Sequence, residues 1–100
     1  MIKVTVLYGH PIDTVAFENY YATTHTPIAL TMKGVSRMEL TKFFKDTGGT
    51  DAAFYRMAEL YFPDAEEMQK TMDSAEGKAT GADLSNFATG GVTFLVGTVV

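Results

Sequence analysis

The amino-acid sequence predicts one α+β domain, in which four antiparallel strands and two helices follow the order β-α-β-β-α-β. The first observation is length, because 100 residues is the usual size of a single domain. The second is that four segments are rich in β-branched and aromatic residues, while two others carry apolar residues at helical spacing. A hydrophobic fraction of 46% with 20% charged residues is typical of globular proteins. Residues 1–100 are therefore predicted to form a single domain.

The first strand and the first helix are predicted from residues 2–33. Residues 2–8 alternate apolar and polar side chains, and Gly9-His10-Pro11 ends the strand. Asp13 or Thr14 can cap a helix that continues to about Lys33, before Gly34. Its apolar stripe consists of Phe17, Tyr21, His25, Ile28 and Met32. Pro27 lies inside this helix, lacks an N–H and crowds the carbonyl of Thr23, so a kink or break is predicted near Thr23.

The rest of the chain predicts a hairpin, a helix and a last strand. Residues 35–44 and 53–62 suit two antiparallel strands, with glycines in the loop 46–51. The second helix opens at Pro63-Asp64 and runs to about Ser74 or Lys78. Residues 76–91 are expected to form a connection with at most one short helical turn, held in place by Phe87. Residues 92–100 form the last strand, and both its faces are apolar.

This order of elements is the ferredoxin-like arrangement, in which two helices cover only one face of the sheet. The third strand carries apolar residues on both sides: Phe54, Ala58, Leu60 and Phe62 in one direction, and Tyr55, Met57 and Tyr61 in the other. A monomer would expose a large apolar patch, so we expect a two-fold homodimer formed through the open sheet face. A monomer with a polar outer face is the alternative.

Composition narrows the classes of partner. The net charge is −4 and the eight Lys and Arg residues are scattered, so neither nucleic acid nor an anionic membrane is expected as a partner. There is no cysteine for disulfides or thiolate chemistry. The apolar run at 92–100 is far shorter than the roughly 20 residues that span a bilayer, and the start of the chain lacks the pattern of a secretory signal. A cytoplasmic protein is the default expectation.

His25 is the candidate centre of chemistry. It lies on the apolar stripe and should face the sheet, where an imidazole can act as acid, base or hydrogen-bond donor. Pro27 leaves the carbonyl of Thr23 without its helical partner, and the distorted turn there can open a cleft beside His25. Tyr21 lies one turn earlier. The alternative is a structural histidine, bonded to a backbone carbonyl or to Glu59.

The other polar residues are weaker candidates for catalysis or ligand binding. His10 sits in an exposed turn, and two histidines without cysteine predict no metal site. The sequence has no glycine-rich phosphate loop or nucleophile elbow, so no cofactor is predicted. Arg37, Glu39 and Glu59 are expected to form cross-strand ion pairs on one sheet face.

The pattern Phe17-x-x-Tyr20-Tyr21-x-x-x-His25-x-Pro27-Ile28 resembles the signature of the ethyl tert-butyl ether degradation (EthD) family. The resemblance extends to Gly34-Val35, to the Tyr61–Glu66 passage and to the Ser85–Thr89 passage. It implies a dimeric α/β barrel with His25 as acid or base, and with Tyr21, Phe17 and Phe87 as walls of a substrate pocket. The named family member is associated with an ether-degrading cytochrome P450 system. The wider barrel group includes cofactor-free monooxygenases, isomerases, cyclases and decarboxylases.

Three functions follow as hypotheses. The first is a cofactor-independent oxidoreductase, isomerase or decarboxylase that acts on an apolar or aromatic oxygenated small molecule through His25. The second is a non-catalytic accessory or binding protein that supports an oxygenase degradation pathway. The third is a purely structural role for His25, with no pocket beside it.

Overall fold

The computed structural model describes residues 1–100 and consists of one four-stranded sheet with helices on one face. The strands are β1 (Ile2–Tyr8), β2 (Arg37–Lys42), β3 (Arg56–Phe62) and β4 (Val92–Thr98). Their spatial order is β2-β3-β1-β4 and every neighbouring pair is antiparallel. The predicted ferredoxin-like fold is confirmed.

The core lies between the two central strands and the helices. In the β1–β3 register, Val4 pairs with Leu60 and Val6 pairs with Ala58, and all four side chains are buried. Alternation along a strand places these residues on the same face of the sheet. Phe62 is fully enclosed there. This face forms the floor of the region that the helices cover.

The first helical region is interrupted as Pro27 predicts. Helix α1 (Thr14–Tyr20) begins at Asp13, whose carboxylate accepts the N–H of Ala16. A π-helical segment (Tyr21–His25) follows, and then a short helix α2 (Thr26–Ala29). The N–H of Thr26 donates to the carbonyl of Tyr21, five residues earlier, which is the wide spacing of a π-bulge. The break near Thr23 is confirmed, although the helix ends at Ala29 rather than at Lys33.

The prediction of a largely irregular connection over residues 76–91 was wrong. Helix α3 (Ala65–Asp73) is followed at once by a second helix, α4 (Ala75–Asp83), and by a 3₁₀ turn (Leu84–Asn86). Ser74 separates the helices because its backbone is extended, with ψ of 161°. Its hydroxyl accepts the N–H of Gly77 and donates to the carbonyl of Thr71. One serine therefore ends α3 and caps α4.

The outer sheet face is less apolar than the sequence suggested. Glu39 lies directly opposite Glu59, and Lys3 binds Glu59 with 2.9 Å between Nζ and Oε2. The Tyr61 hydroxyl donates to Glu39, so this end of the outer face is polar. Arg37 binds the same Glu39 carboxylate at 3.4 Å, but both residues belong to β2, and the cross-strand ion pair of Glu59 is with Lys3 rather than with Arg37.

Tyr55 was expected on the outer face and lies instead in the core. Strand β3 begins only at Arg56, so its alternation does not extend back to Tyr55. The Tyr55 ring is 5.2 Å from the ring centroid of Phe17, in an edge-on contact. The other two residues predicted for the outer face, Met57 and Tyr61, do lie on that face.

No helix of the chain combines the length and the apolar character that crossing a bilayer would require.

Replacing Ser74 by alanine is expected to destabilise the domain. The variant loses the cap of α4, and loss of a serine cap costs about 1 kcal/mol. Urea denaturation of Ser74→Ala should show this decrease in the free energy of unfolding. The control is Ser85→Ala, whose exposed hydroxyl only donates to the carbonyl of Ala82. Equal stability of the two variants would contradict the role assigned to Ser74.

Candidate functional site

His25 lies at the end of the π-helical segment and points beneath the sheet. Only 4% of its surface is exposed, so the inward direction expected from the helical stripe is observed. The π-bulge buries both Tyr21 and His25, which stand one turn apart on the same side. The other histidine, His10, is exposed in a turn and binds the carbonyl of Ala52 through Nε2.

The partner of His25 is Asp83 at the end of α4. His25 Nδ1 is 2.9 Å from Asp83 Oδ2, and only 7% of Asp83 is exposed. The other carboxylate oxygen accepts two hydrogen bonds, from the Tyr20 hydroxyl at 2.6 Å and from the Asn86 amide at 3.0 Å. Neither a backbone carbonyl nor Glu59, the partners considered from the sequence, binds His25. Glu59 lies on the other side of the sheet.

The hydrogen bonds keep Asp83 ionised. Burial by itself raises the pKa of this carboxyl, but donation by Tyr20, Asn86 and His25 outweighs burial and lowers the pKa below its ordinary value. An ionised carboxylate can only accept, so the proton between the two residues belongs to His25 Nδ1. The second ring nitrogen, Nε2, has no hydrogen-bond partner within the chain and is not enclosed by protein atoms. It is the nitrogen that a ligand can reach.

Aromatic rings surround the histidine. The Phe87 ring centroid is 4.6 Å from that of His25, and the Tyr21 centroid is 5.6 Å away. Burial raises the pKa values of the Tyr8 and Tyr21 hydroxyls, which therefore remain protonated at neutral pH. The Arg56 guanidinium carbon lies 4.5 Å from the centroid of Tyr21. These contacts hold Tyr21 in a fixed orientation beside His25.

A cavity of about 110 Å³ lies between the helices and the sheet, next to His25. Thirteen of its 18 lining residues are hydrophobic, and both His25 and Tyr21 belong to the lining. The volume is below the roughly 300 Å³ at which sites for drug-sized ligands begin. It is closer to an engineered apolar cavity of about 150 Å³ that holds benzene. The cavity therefore suits a small ligand.

Phe17 and Phe87, named from the sequence as pocket walls, do not line this cavity. Phe17 stacks on Tyr21 with centroids 5.5 Å apart, behind the cavity wall. Both phenylalanines instead line an open surface groove of about 320 Å³ on the other side of the aromatic cluster. His25 does not reach that groove. The two rings support the cavity wall from outside.

Sequence reasoning missed Asp83, Asn86 and the role of the Tyr20 hydroxyl. Asp83 is 58 positions from His25, in a segment predicted to be irregular. The available signal was Ser74 followed by an acidic, alanine-rich stretch, which is typical of a capped helix. Recognising α4 would have placed Asp83 at its end.

Known proteins resemble the whole chain. A family model described as the EthD domain matches residues 9–91. A protein of 11.0 kDa from the thcB-thcC intergenic region of Rhodococcus erythropolis is 38% identical over 95 residues, which cover 95% of this chain and 91% of the relative. The crystal structure of an EthD family protein from Bacillus halodurans superposes with a TM-score of 0.93 at 35% identity. That match covers 100% of this chain and 99% of the other.

More distant structures share the fold alone. A protein from Streptomyces nogalater described as a cofactor-independent oxygenase has a TM-score of 0.65 at 13% identity, over 98% of this chain and 90% of its own. A dimeric ferredoxin-like protein from Thermobifida fusca has a TM-score of 0.72 at 9% identity, with the same coverage.

Asp83 should stabilise the folded protein at neutral pH and lose this effect in acid. A carboxyl whose folded-state pKa lies below its unfolded value adds stability above the unfolded pKa, and this is lost as pH falls through the folded pKa. We expect wild type to exceed Asp83→Asn by about 1–3 kcal/mol in the free energy of unfolding at neutral pH. The difference should shrink below about pH 4.

Urea denaturation of both proteins over a pH series measures this difference. Subtracting the variant cancels the contribution of other carboxylates, such as Glu18, whose pKa is lowered by its hydrogen bonds with Arg56. A difference that stays constant through the acid range would contradict the ionised state of Asp83.

Proposed function

This chain belongs to the EthD family, and we propose that it acts on a small apolar or aromatic oxygenated compound, with His25 as the acid–base group. One observation carries the proposal. His25 is held through Nδ1 by an ionised carboxylate, and its other nitrogen is free beside an apolar cavity.

Proton transfer is the step that this arrangement favours. A phenol or enol in the cavity can give its proton to Nε2, which makes His25 an imidazolium. The Asp83 carboxylate stabilises that positive charge, and the imidazolium in turn stabilises the phenolate or enolate. The apolar lining strengthens both attractions because little water competes. The protonated Tyr21 hydroxyl is a further donor on the cavity wall, while Phe17 and Phe87 keep the wall in place.

Such an anion can be oxidised by dioxygen as the electron acceptor, or can be reprotonated at carbon in an isomerisation, and it is the species that forms when a neighbouring carboxylate leaves as carbon dioxide; none of these steps requires a cofactor. The proposal therefore extends to a cofactor-independent oxidoreductase or a related enzyme. The fold shared with the Streptomyces oxygenase supports this class, since that protein is described as cofactor-independent. Fold alone does not choose among the reactions.

A binding or accessory protein is the second candidate. The cavity is small, and His25 Nε2 could hold a ligand oxygen by a hydrogen bond without moving a proton further. A protein of this kind would retain a small apolar compound and release it unchanged, in support of a partner oxygenase.

We also propose a homodimer formed through the open sheet face. Leu7, Met57 and Leu95 lie on this face, away from the helices, and 54% of Leu95 is exposed. The dimeric relative from Thermobifida fusca has the same fold. A self-complementary contact of two such faces would form the predicted dimeric barrel.

Binding of para-nitrophenol tests whether His25 acts as a base. Its ionised form is yellow and its neutral form is not, so absorbance reports the proton. In mildly acidic buffer, wild type should increase the ionised fraction of the bound probe. His25→Ala should lower that fraction about tenfold or more, the equivalent of one charge-assisted hydrogen bond. The control, His10→Ala, removes the exposed histidine and should behave as wild type.

Equal ionisation of the probe by wild type and His25→Ala would overturn the assignment of His25. Cyclopentanone in deuterated water separates the enzyme from the binding protein. An active base exchanges the protons next to the carbonyl, and mass spectrometry detects the deuterium. A binding protein returns the ketone unlabelled.

The dimer predicts a mass of two chains in light scattering at micromolar concentration. Leu95→Arg places a charge in the proposed contact and should give the monomer mass. The matched control is Leu30→Arg, at an exposed leucine just after α2. A monomeric wild type, or equal behaviour of the two variants, would refute the contact.

A further inference from the structure

One face of α4 forms part of the cavity wall. Three of its positions and the first residue of the following 3₁₀ turn line the cavity, and their spacing of three, four and seven residues defines a single helical stripe. They are Gly77, Thr80, Gly81 and Leu84. Two of the four lack a side chain, which is unusual because a helix normally covers a core with its apolar stripe.

Packing explains Gly77 but not Gly81. A Cβ atom added at Gly77 would collide with the backbone of Thr71 and Met72, so that glycine permits the close turn between α3 and α4. A Cβ added at Gly81 meets no atom within 4 Å. A glycine inside a helix costs about 0.5–1 kcal/mol relative to alanine. The protein therefore loses stability at position 81 without gaining a contact.

The position that a Cβ at residue 81 would take is open space at the edge of the cavity. Gly81 is on the same stripe as Leu84 and lines the cavity, and its exposure places it at the opening to solvent. A side chain at this position would project along that stripe, into the opening. Across from it, α2 contributes the small side chain of Ala29 to the lining.

We propose that Gly81 sets the upper size of the ligand. This inference rests on the proposed function and sharpens its substrate class to compounds of about one unsubstituted or lightly substituted ring. An isobutyl group at position 81 would occupy much of a cavity of about 110 Å³. A methyl group would narrow the opening and exclude only the bulkier members of a series.

Titration calorimetry with phenol, para-ethylphenol and para-tert-butylphenol tests the size limit. Gly81→Leu should bind phenol at least about tenfold more weakly than wild type. Gly81→Ala should lose affinity for the three phenols in order of their size, least for phenol and most for para-tert-butylphenol. The matched control is Ala82→Leu, at an exposed position of the same helix outside the cavity. It should bind all three phenols as wild type does.

A ligand-free measurement keeps the inference testable if Gly81→Leu folds poorly. Gly81→Ala should raise the midpoint of urea unfolding, because alanine favours the helix and meets no obstacle. A lowered midpoint would show that the glycine is needed for packing and would overturn the proposal.

The outcomes separate the size limit from the function. If wild type binds the phenols but Gly81→Leu binds them equally well, or Ala82→Leu weakens binding as much, only the role of Gly81 fails. If wild type binds none of the phenols, the proposed function and the size limit both fail.

Discussion

The buried contact between Asp83 and His25 is the constraint on which the rest of the site depends. A carboxylate in the interior must be paired or hydrogen-bonded, and Asp83 accepts from three side chains that come from both halves of the chain. Tyr20 and His25 belong to the first helical region, and Asn86 to the turn after α4. The bonds from Tyr20 and His25 fix the distance between the first helical region and α4. Replacing one partner would leave a buried charge short of donors, so the geometry is held more strictly than packing alone would hold it.

The π-bulge sets the direction of the histidine within that frame. Pro27 removes a backbone donor, so a wide turn loses less hydrogen bonding here than in an ordinary helix. The extra residue in the turn shifts the stripe, and Tyr21 and His25 are both buried although Pro27 itself is exposed. A π-bulge in a helix often marks a functional site. In this chain it places an imidazole between a carboxylate and a cavity.

The sequence predicts elements with a strong local signal and misses those determined by distant contacts. The alternation of apolar and polar residues predicts strand β1, and Pro27 predicts a break in the first helical region. Both predictions agree with the structure. Helix α4 contains alanine, glycine and threonine rather than an apolar stripe, so periodicity does not reveal it. Asp83 meets His25 only because α4 exists. Tyr55 is a second example of this limit, because the face of the sheet on which its side chain lies depends on where β3 begins.

A purely structural histidine explains less of this arrangement than a functional one. A structural role accounts for the buried contact that Nδ1 makes with Asp83, but it gives Nε2 no task. Nδ1 has its partner, but Nε2 has none within the chain and adjoins empty apolar space. Gly81 also lines the cavity, and an added Cβ atom there would meet no atom within 4 Å. A protein selected for stability alone could fill that volume and pair that nitrogen. Both features have a common explanation if a small molecule with one polar group occupies the cavity.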